Sequence, residues 1–250
     1  MKLRYLPFAL FIALAGCAPK DGPGAGGTAT TPGGATTSTP GGGTSEKPLD
    51  SSAIPASLKH DGYQYYGLDN SKTLDVTLKA PDLPAETGGV AIEWDKVEGD
   101  KALFKITRTG AIAEDLGNNT GMVDATGVYL TGTSIGTITP DKFLALPADL
   151  TPGKTWNMKN KVSHKNGSEI AEDSVYKVEG VRDVKTKSGN QKALLVTSNG
   201  TANVSSPGQS PVKAKYTTKS WYVKGVGPVR IEISLTLPNM PPRTVLVEQS

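Results

Sequence analysis

The residues able to do chemistry are few. The 250-residue chain has one cysteine, Cys17, and two histidines, His60 and His164. A single cysteine excludes an internal disulfide and any cysteine cage for zinc or an iron–sulfur cluster. Gly132-Thr133-Ser134-Ile135-Gly136 matches the G-x-S-x-G spacing, in which a serine nucleophile is exposed on a sharp strand-to-helix turn. The next residues, Thr137-Ile138-Thr139-Pro140, are β-branched and then helix-breaking, so the helix that the motif needs is not expected. A serine nucleophile also needs a histidine base, and only His164 lies downstream. The chain is therefore read as a non-enzyme, with a serine hydrolase using Ser134 as the rival. His60 and His164, helped by Asp61 or Glu169, are the candidate metal ligands. Both are expected to face solvent, and no metal or cofactor is expected. The adjacent carboxylates Glu114 with Asp115 and Glu172 with Asp173 would point to opposite faces of a strand. Neither pair makes an acid–base dyad, and both are read as solvated charge.

Cys17 has the most specific context. Lys2 and Arg4 open the chain, an apolar run follows over residues 6–15, and the run ends in Leu14-Ala15-Gly16-Cys17. A run of about ten residues suits a signal-peptide core and is well short of the ~20 that span a bilayer as a helix. The tetrapeptide resembles the bacterial lipobox: an aliphatic residue, two small residues, then the cysteine that receives lipid. The resemblance implies a diacylglyceryl group on Cys17, cleavage between Gly16 and Cys17, and fatty acylation (palmitate, for example) of the new amine. Each buried methylene contributes about 0.8 kcal/mol and a single chain holds only marginally, so the second and third chains make the anchor. Ala18, rather than Asp, follows the cysteine, which resembles the outer-membrane sorting class in a two-membrane host. The plain alternative is an ordinary secretory signal with an incidental cysteine. Without Lys2 and Arg4, the 27 basic residues come close to balancing the 24 acidic ones, which removes the electrostatic case for nucleic acid.

The rest of the chain divides in two. Residues 18–50 hold nine Gly, five Pro and seven Thr and no aromatic residue. Such a stretch cannot bury enough apolar surface to offset its ordering entropy, so a disordered tether with a span of roughly 30 Å is expected. The expected organisation is a signal peptide over 1–16, lipidated Cys17 with its tether over 17–50, and one folded domain over 51–250. Within that domain the dominant pattern has period two. Leu74, Val76 and Leu78 alternate with polar neighbours, as do Val90, Ile92 and Trp94, then Ala102, Phe104 and Ile106, then Val229, Ile231, Ile233, Leu235 and Leu237. Turn signals separate the runs: Glu98-Gly99-Asp100, Asn166-Gly167, Ser188-Gly189-Asn190, Asn199-Gly200 and Pro207-Gly208. The best helical stretch, residues 141–150, is confined to one or two turns by Pro140 and Pro147. The expected fold is all-β, a strongly curved antiparallel sheet or a partly open β-barrel.

Two groups of side chains suit recognition. Tyr63 and Tyr65 would share one face of a strand over Tyr63-Gln64-Tyr65-Tyr66 and offer a stacking platform for an apolar ligand or a sugar; core packing is the plain reading. Lys213, Lys215 and Lys219 would line one face of a strand, either toward anionic headgroups or as an edge that discourages sheet-to-sheet pairing. The segments Leu150-Thr151-Pro152-Gly153-Lys154-Thr155-Trp156, Val175-Tyr176-Lys177-Val178-Glu179-Gly180 and Ser220-Trp221-Tyr222-Val223-Lys224-Gly225-Val226-Gly227-Pro228-Val229 occur in this order. Together they resemble an uncharacterised family of bacterial envelope lipoproteins with a β-rich domain of unknown function. The resemblance implies a β domain in the envelope and carries over no catalytic residue. Trp156, Trp221 and Tyr222 join Tyr63 and Tyr65 as candidate ligand-binding residues. The expected function is a membrane-anchored, non-enzymatic binding or structural module. Its partners would be the membrane, through Cys17, and an envelope protein or hydrophobic ligand. A carrier of lipid within a curved sheet is the alternative.

Overall fold

The structure is a computed structural model and describes residues 49–249 apart from 70–72 and 82. Gly16, Cys17, the expected signal segment and residues 18–48 lie outside the described residues. The strands are β1 (Leu74–Lys79), β2 (Glu86–Glu98), β3 (Lys101–Arg108), β4 (Asn119–Asp124), β5 (Gly127–Thr133), β6 (Gly136–Thr139), β7 (Phe143–Pro147), β8 (Thr155–His164), β9 (Glu169–Thr186), β10 (Gly189–Ser205), β11 (Val212–Val223), β12 (Gly227–Thr236) and β13 (Arg243–Gln249). Neighbours in the sheet run β4-β3-β2-β1-β13-β12-β11-β10-β9-β8-β6-β5, and β5 pairs back onto β4. Every pairing is antiparallel, so the sheet curls into a closed barrel of twelve strands. The pair Thr133 and Gly136 joins β5 to β6, and β7 lies along the rest of that edge of β5.

The alternation is what orients the barrel wall. On β12, Val229, Ile231, Ile233 and Leu235 are buried while Arg230, Glu232 and Ser234 are part-exposed. β11 alternates in the same way, with Ala214, Tyr216, Thr218 and Ser220 inside and Lys213, Lys215 and Lys219 outside. β11 lies between β10 and β12, so this lysine row is not an edge. The turns fall where glycine allows them: Gly225 and Gly227 take φ of 76° and 104° at the β11–β12 connection.

Two short helices depart from the strand pattern. Tyr63-Gln64-Tyr65-Tyr66 was expected to be extended and instead forms helix α1 (Asp61–Tyr66). Capping overrides the β-propensity of the tyrosines. His60 Nδ1 accepts the Tyr63 N–H at 3.1 Å, and His60 Nε2 lies 2.9 Å from the Asp124 carbonyl, which fixes the proton on Nε2. Gly67, at φ 81°, ends the helix. His60 is thus a helix cap rather than a solvent-facing ligand. α1 touches β5 and β7 on one wall and β11 and β12 on the other, so it crosses the bore. Tyr63, fully buried at 0% exposure, stacks on Trp94 at 5.8 Å, and Trp94 meets Phe104 edge-on at 5.7 Å. Trp94 Nε1 donates to the Leu68 carbonyl at 3.2 Å. Residues 141–150, the expected helical stretch, contain β7 instead, because the open edge of β5 supplies backbone partners and Phe143 and Leu146 gain burial. Helix α2 (Ala111–Leu116) packs on β2 and β3 and sends Ile112 and Leu116 into the core.

Candidate ligand-binding site inside the barrel

Two neighbouring hollows lie inside the barrel. The larger, about 90 Å³, is walled by aliphatic side chains from β1, β2, β3, β12, β13 and α2, among them Val76, Ile92, Ile106, Ile112, Ile231 and Val247. Besides Tyr66 and Tyr222, its polar side chains are Arg108 and Gln249, and both are held. Arg108 Nη1 donates to the Gly117 carbonyl at 2.8 Å and to Asn119 Oδ1 at 2.7 Å, and Gln249 Nε2 donates to the Pro228 carbonyl at 3.0 Å. The smaller hollow, about 30 Å³, is polar on one side, where Glu172, Tyr176, Tyr216, Thr218 and Ser220 converge from β9 and β11. Tyr66, Tyr222 and Ile231 line both hollows and form the partition.

Electrostatics follows from burial here. The Glu172 carboxyl, 3% exposed, is pushed up to about 8 by desolvation. This overturns its reading as solvated charge. Asp173 on the next position does face solvent, as strand alternation requires. Burial raises the Tyr176, Tyr216 and Tyr66 hydroxyls well beyond the usual phenol range and takes Tyr222 up to about 12. All four are neutral hydrogen-bonding groups at physiological pH.

The candidate residues separate in space. Tyr63 is part of the aromatic core under α1. Tyr65 lies at the barrel end, with the Lys224 ammonium 5.8 Å from its ring. Trp156 stacks on Tyr176 at 5.1 Å, behind the polar hollow. Trp221 is on the outside of the wall, with the Arg230 guanidinium 5.7 Å from its ring. Only Tyr222 of the five lines the hollows. Tyr66, Glu172 and Tyr216 were missed, although one signal was available. Glu172 is in phase with Ile170, Ser174, Tyr176 and Val178, all of them buried.

The other motifs resolve locally. Ser134 is exposed at the β5–β6 turn, and its Oγ accepts the Asn118 N–H at 2.8 Å. A strand follows it where a nucleophile turn has a helix. His164 is buried rather than solvent-facing, and neither of its ring nitrogens has a hydrogen-bond partner. Desolvation lowers its pKa, which keeps the ring neutral. Among the described residues, no three His, Cys, Asp or Glu side chains converge on a metal-sized site, and no helix is long and apolar enough to cross a membrane.

No protein-family model matches the chain, and no curated protein matches it. Solved structures that resemble it include three bacterial proteins. A protein from Parabacteroides distasonis, provisionally described as a lipoprotein, is 13% identical, with the match covering 74% of this chain and 98% of that one at a TM-score of 0.50. A protein from Bacteroides fragilis, provisionally described as exported and as having a YmcC-like fold, is 12% identical over 72% of this chain and 96% of that one, at 0.49. The hypothetical lipoprotein YmcC from Escherichia coli is 10% identical over 76% of this chain and 87% of its own, at 0.33. The chain shares its overall fold with the Parabacteroides protein.

Proposed function

We propose that this protein is a bacterial envelope lipoprotein, held at a membrane through Cys17, and that its barrel is a non-enzymatic binding module taking a short apolar group into its interior. The apolar hollow carries this reading. An engineered cavity of about 150 Å³ lined only by apolar side chains stays dry and takes up benzene. The present hollow, about 90 Å³ and aliphatic apart from its two tyrosines, Arg108 and Gln249, suits a slimmer group, a short alkyl chain. Carriage of a whole lipid chain, the alternative within this class, requires Tyr66 and Tyr222 to leave the partition.

The anchoring half of the proposal is supported by the lipobox-like Leu14-Ala15-Gly16-Cys17 and by the fold shared with a protein provisionally described as a lipoprotein. Membership of the uncharacterised envelope family is part of the same reading, as is an outer-membrane location in a two-membrane host. In this reading residues 1–16 are removed, and 17–50 tether the barrel.

Calorimetric titration of the full chain carrying Cys17→Ser with 1-hexanol tests the binding half. Saturable one-to-one binding is expected, lost in Ile92→Trp, whose indole fills the hollow without altering the far-ultraviolet dichroism. Absence of binding, or equal binding to the filled variant, contradicts it. The hydrolase rival is separated by ester turnover: activity that disappears in Ser134→Ala would replace the present reading.

A further inference from the structure

The polar hollow contains an uncompensated acid. Glu172 is buried, and its Oε2 has no hydrogen-bond partner. The amide of Asn160, directly across the ladder, is also unpartnered, and the Tyr216 hydroxyl that faces the same hollow interacts only weakly with Ser174 Oγ, two positions along β9, neither making a full hydrogen bond. The lysines of the strands around this hollow do not reach in, because Lys159 on β8 and Lys213 and Lys215 on β11 alternate onto the outer face. Each buried polar atom left unpartnered costs about 1–3 kcal/mol, so a cluster of them in a folded interior marks a place where water or a ligand completes the bonding.

The chemistry narrows the occupant. Once ionised, the Glu172 carboxylate is acceptor-only, and the phenol hydroxyl beside it can accept as well, so the pair suits a cationic donor that can draw off the carboxyl proton. The Tyr176 ring, backed by Trp156, adds an aromatic wall of the kind that favours a cation. About 30 Å³ fits an ammonium but not a guanidinium or a phosphate. Only the side chains of Tyr66, Tyr222 and Ile231 separate this hollow from the apolar one, so a single ligand that turns one of the tyrosine rings aside can present a head to one and a body to the other.

We propose that the polar hollow receives the ammonium head of a primary amine whose short alkyl body occupies the apolar hollow, with Glu172 as counter-charge and the Tyr216 hydroxyl as acceptor. The body's position rests on the function proposed above, whereas the head's does not. Burial keeps Glu172 protonated in the empty barrel below about pH 8, so loading releases its proton to solvent as the ammonium enters.

Titration of the full C17S chain with hexylamine and with 1-hexanol, near neutral pH, separates the two parts. Hexylamine is expected to bind at least tenfold more tightly than hexanol. The isosteric Glu172→Gln is expected to bring it down to the hexanol level while leaving hexanol unchanged. The Trp156 Nε1–H resonance is expected to shift with the amine, which binding at outer carboxylates such as Asp173 would not produce. Equal affinity of the two titrants in the unmutated barrel, the result if buried water alone fills the polar hollow, overturns the amine site and leaves the apolar reading standing. So does an amine preference that survives Glu172→Gln. Hexylamine binding without hexanol binding keeps the amine site and removes the apolar reading. Silence from both removes both.

Discussion

Replacing Glu172 with Gln should make the folded barrel more stable, and by an amount that depends on pH. The substitution keeps shape and removes the proton. Glu172 is shifted from 4.5 to about 8, with burial as the cause. Below the lower value the carboxyl is protonated in both folded and unfolded chains and contributes nothing. As pH rises, the unfolded chain loses its proton first and is favoured by ~1.4 kcal/mol per unit, until the folded carboxyl also ionises. The penalty therefore builds between 4.5 and about 8. It is roughly 3 kcal/mol at pH 7 and roughly 5 kcal/mol at its plateau. Tyr66, Tyr176, Tyr216 and Tyr222, the other titratable groups at this hollow, ionise above the window and leave the slope alone. His164, buried and neutral, adds a term at low pH that is common to both proteins and cancels. Urea unfolding followed by tryptophan fluorescence, at about pH 5, 7 and 9, measures the difference. The two proteins should coincide near the acid end and diverge steadily above it. Parallel profiles across the range would refute a buried, uncompensated carboxyl at this position.

Other substitutions probe the elements that build the interior. Gly62 lies so close to the Pro147 carbonyl that a β-carbon would overlap it, so Gly62→Ala should displace α1 at a cost of about 1–3 kcal/mol, read from the urea midpoint. His60→Ala removes the cap of α1 and its bond to the Asp124 carbonyl, and should cost about 0.5–2 kcal/mol by the same assay. Cys17→Ser should move the protein from the membrane to the soluble fraction of fractionated cells, with incorporation of labelled palmitate lost.

The strands were legible because one side of the wall is solvated and the other is not. Val229 through Leu237 alternates for that reason, and the Pro152-Gly153 turn leads Trp156 into the wall as its residue types suggest. Closure was not legible, since the pairings of β1 with β13 and β4 with β5 carry no local signature. α1 was misread because histidine is an uncommon N-cap, and three tyrosines in four residues look like a strand; Gly67 was the visible stop signal. The hollows depend on how side chains from strands far apart in the chain fill one bore, and residue types alone do not state a volume. Glu172 is the exception. Its phase among Ile170, Tyr176 and Val178 is the visible sign of an inward carboxyl, against its reading as solvated charge.

Methyl-detected NMR during titration with 1-hexanol addresses the interior directly. If the barrel takes an apolar group where the hollow is, the shifts will be confined to the methyls that line it, those of Val76, Ile92, Ile106, Ile112, Ile231 and Val247 among them. Shifts at Val175 and Val181 instead, each 50% exposed on the outer face, would show that the titrant only coats the surface, and the interior reading would fall.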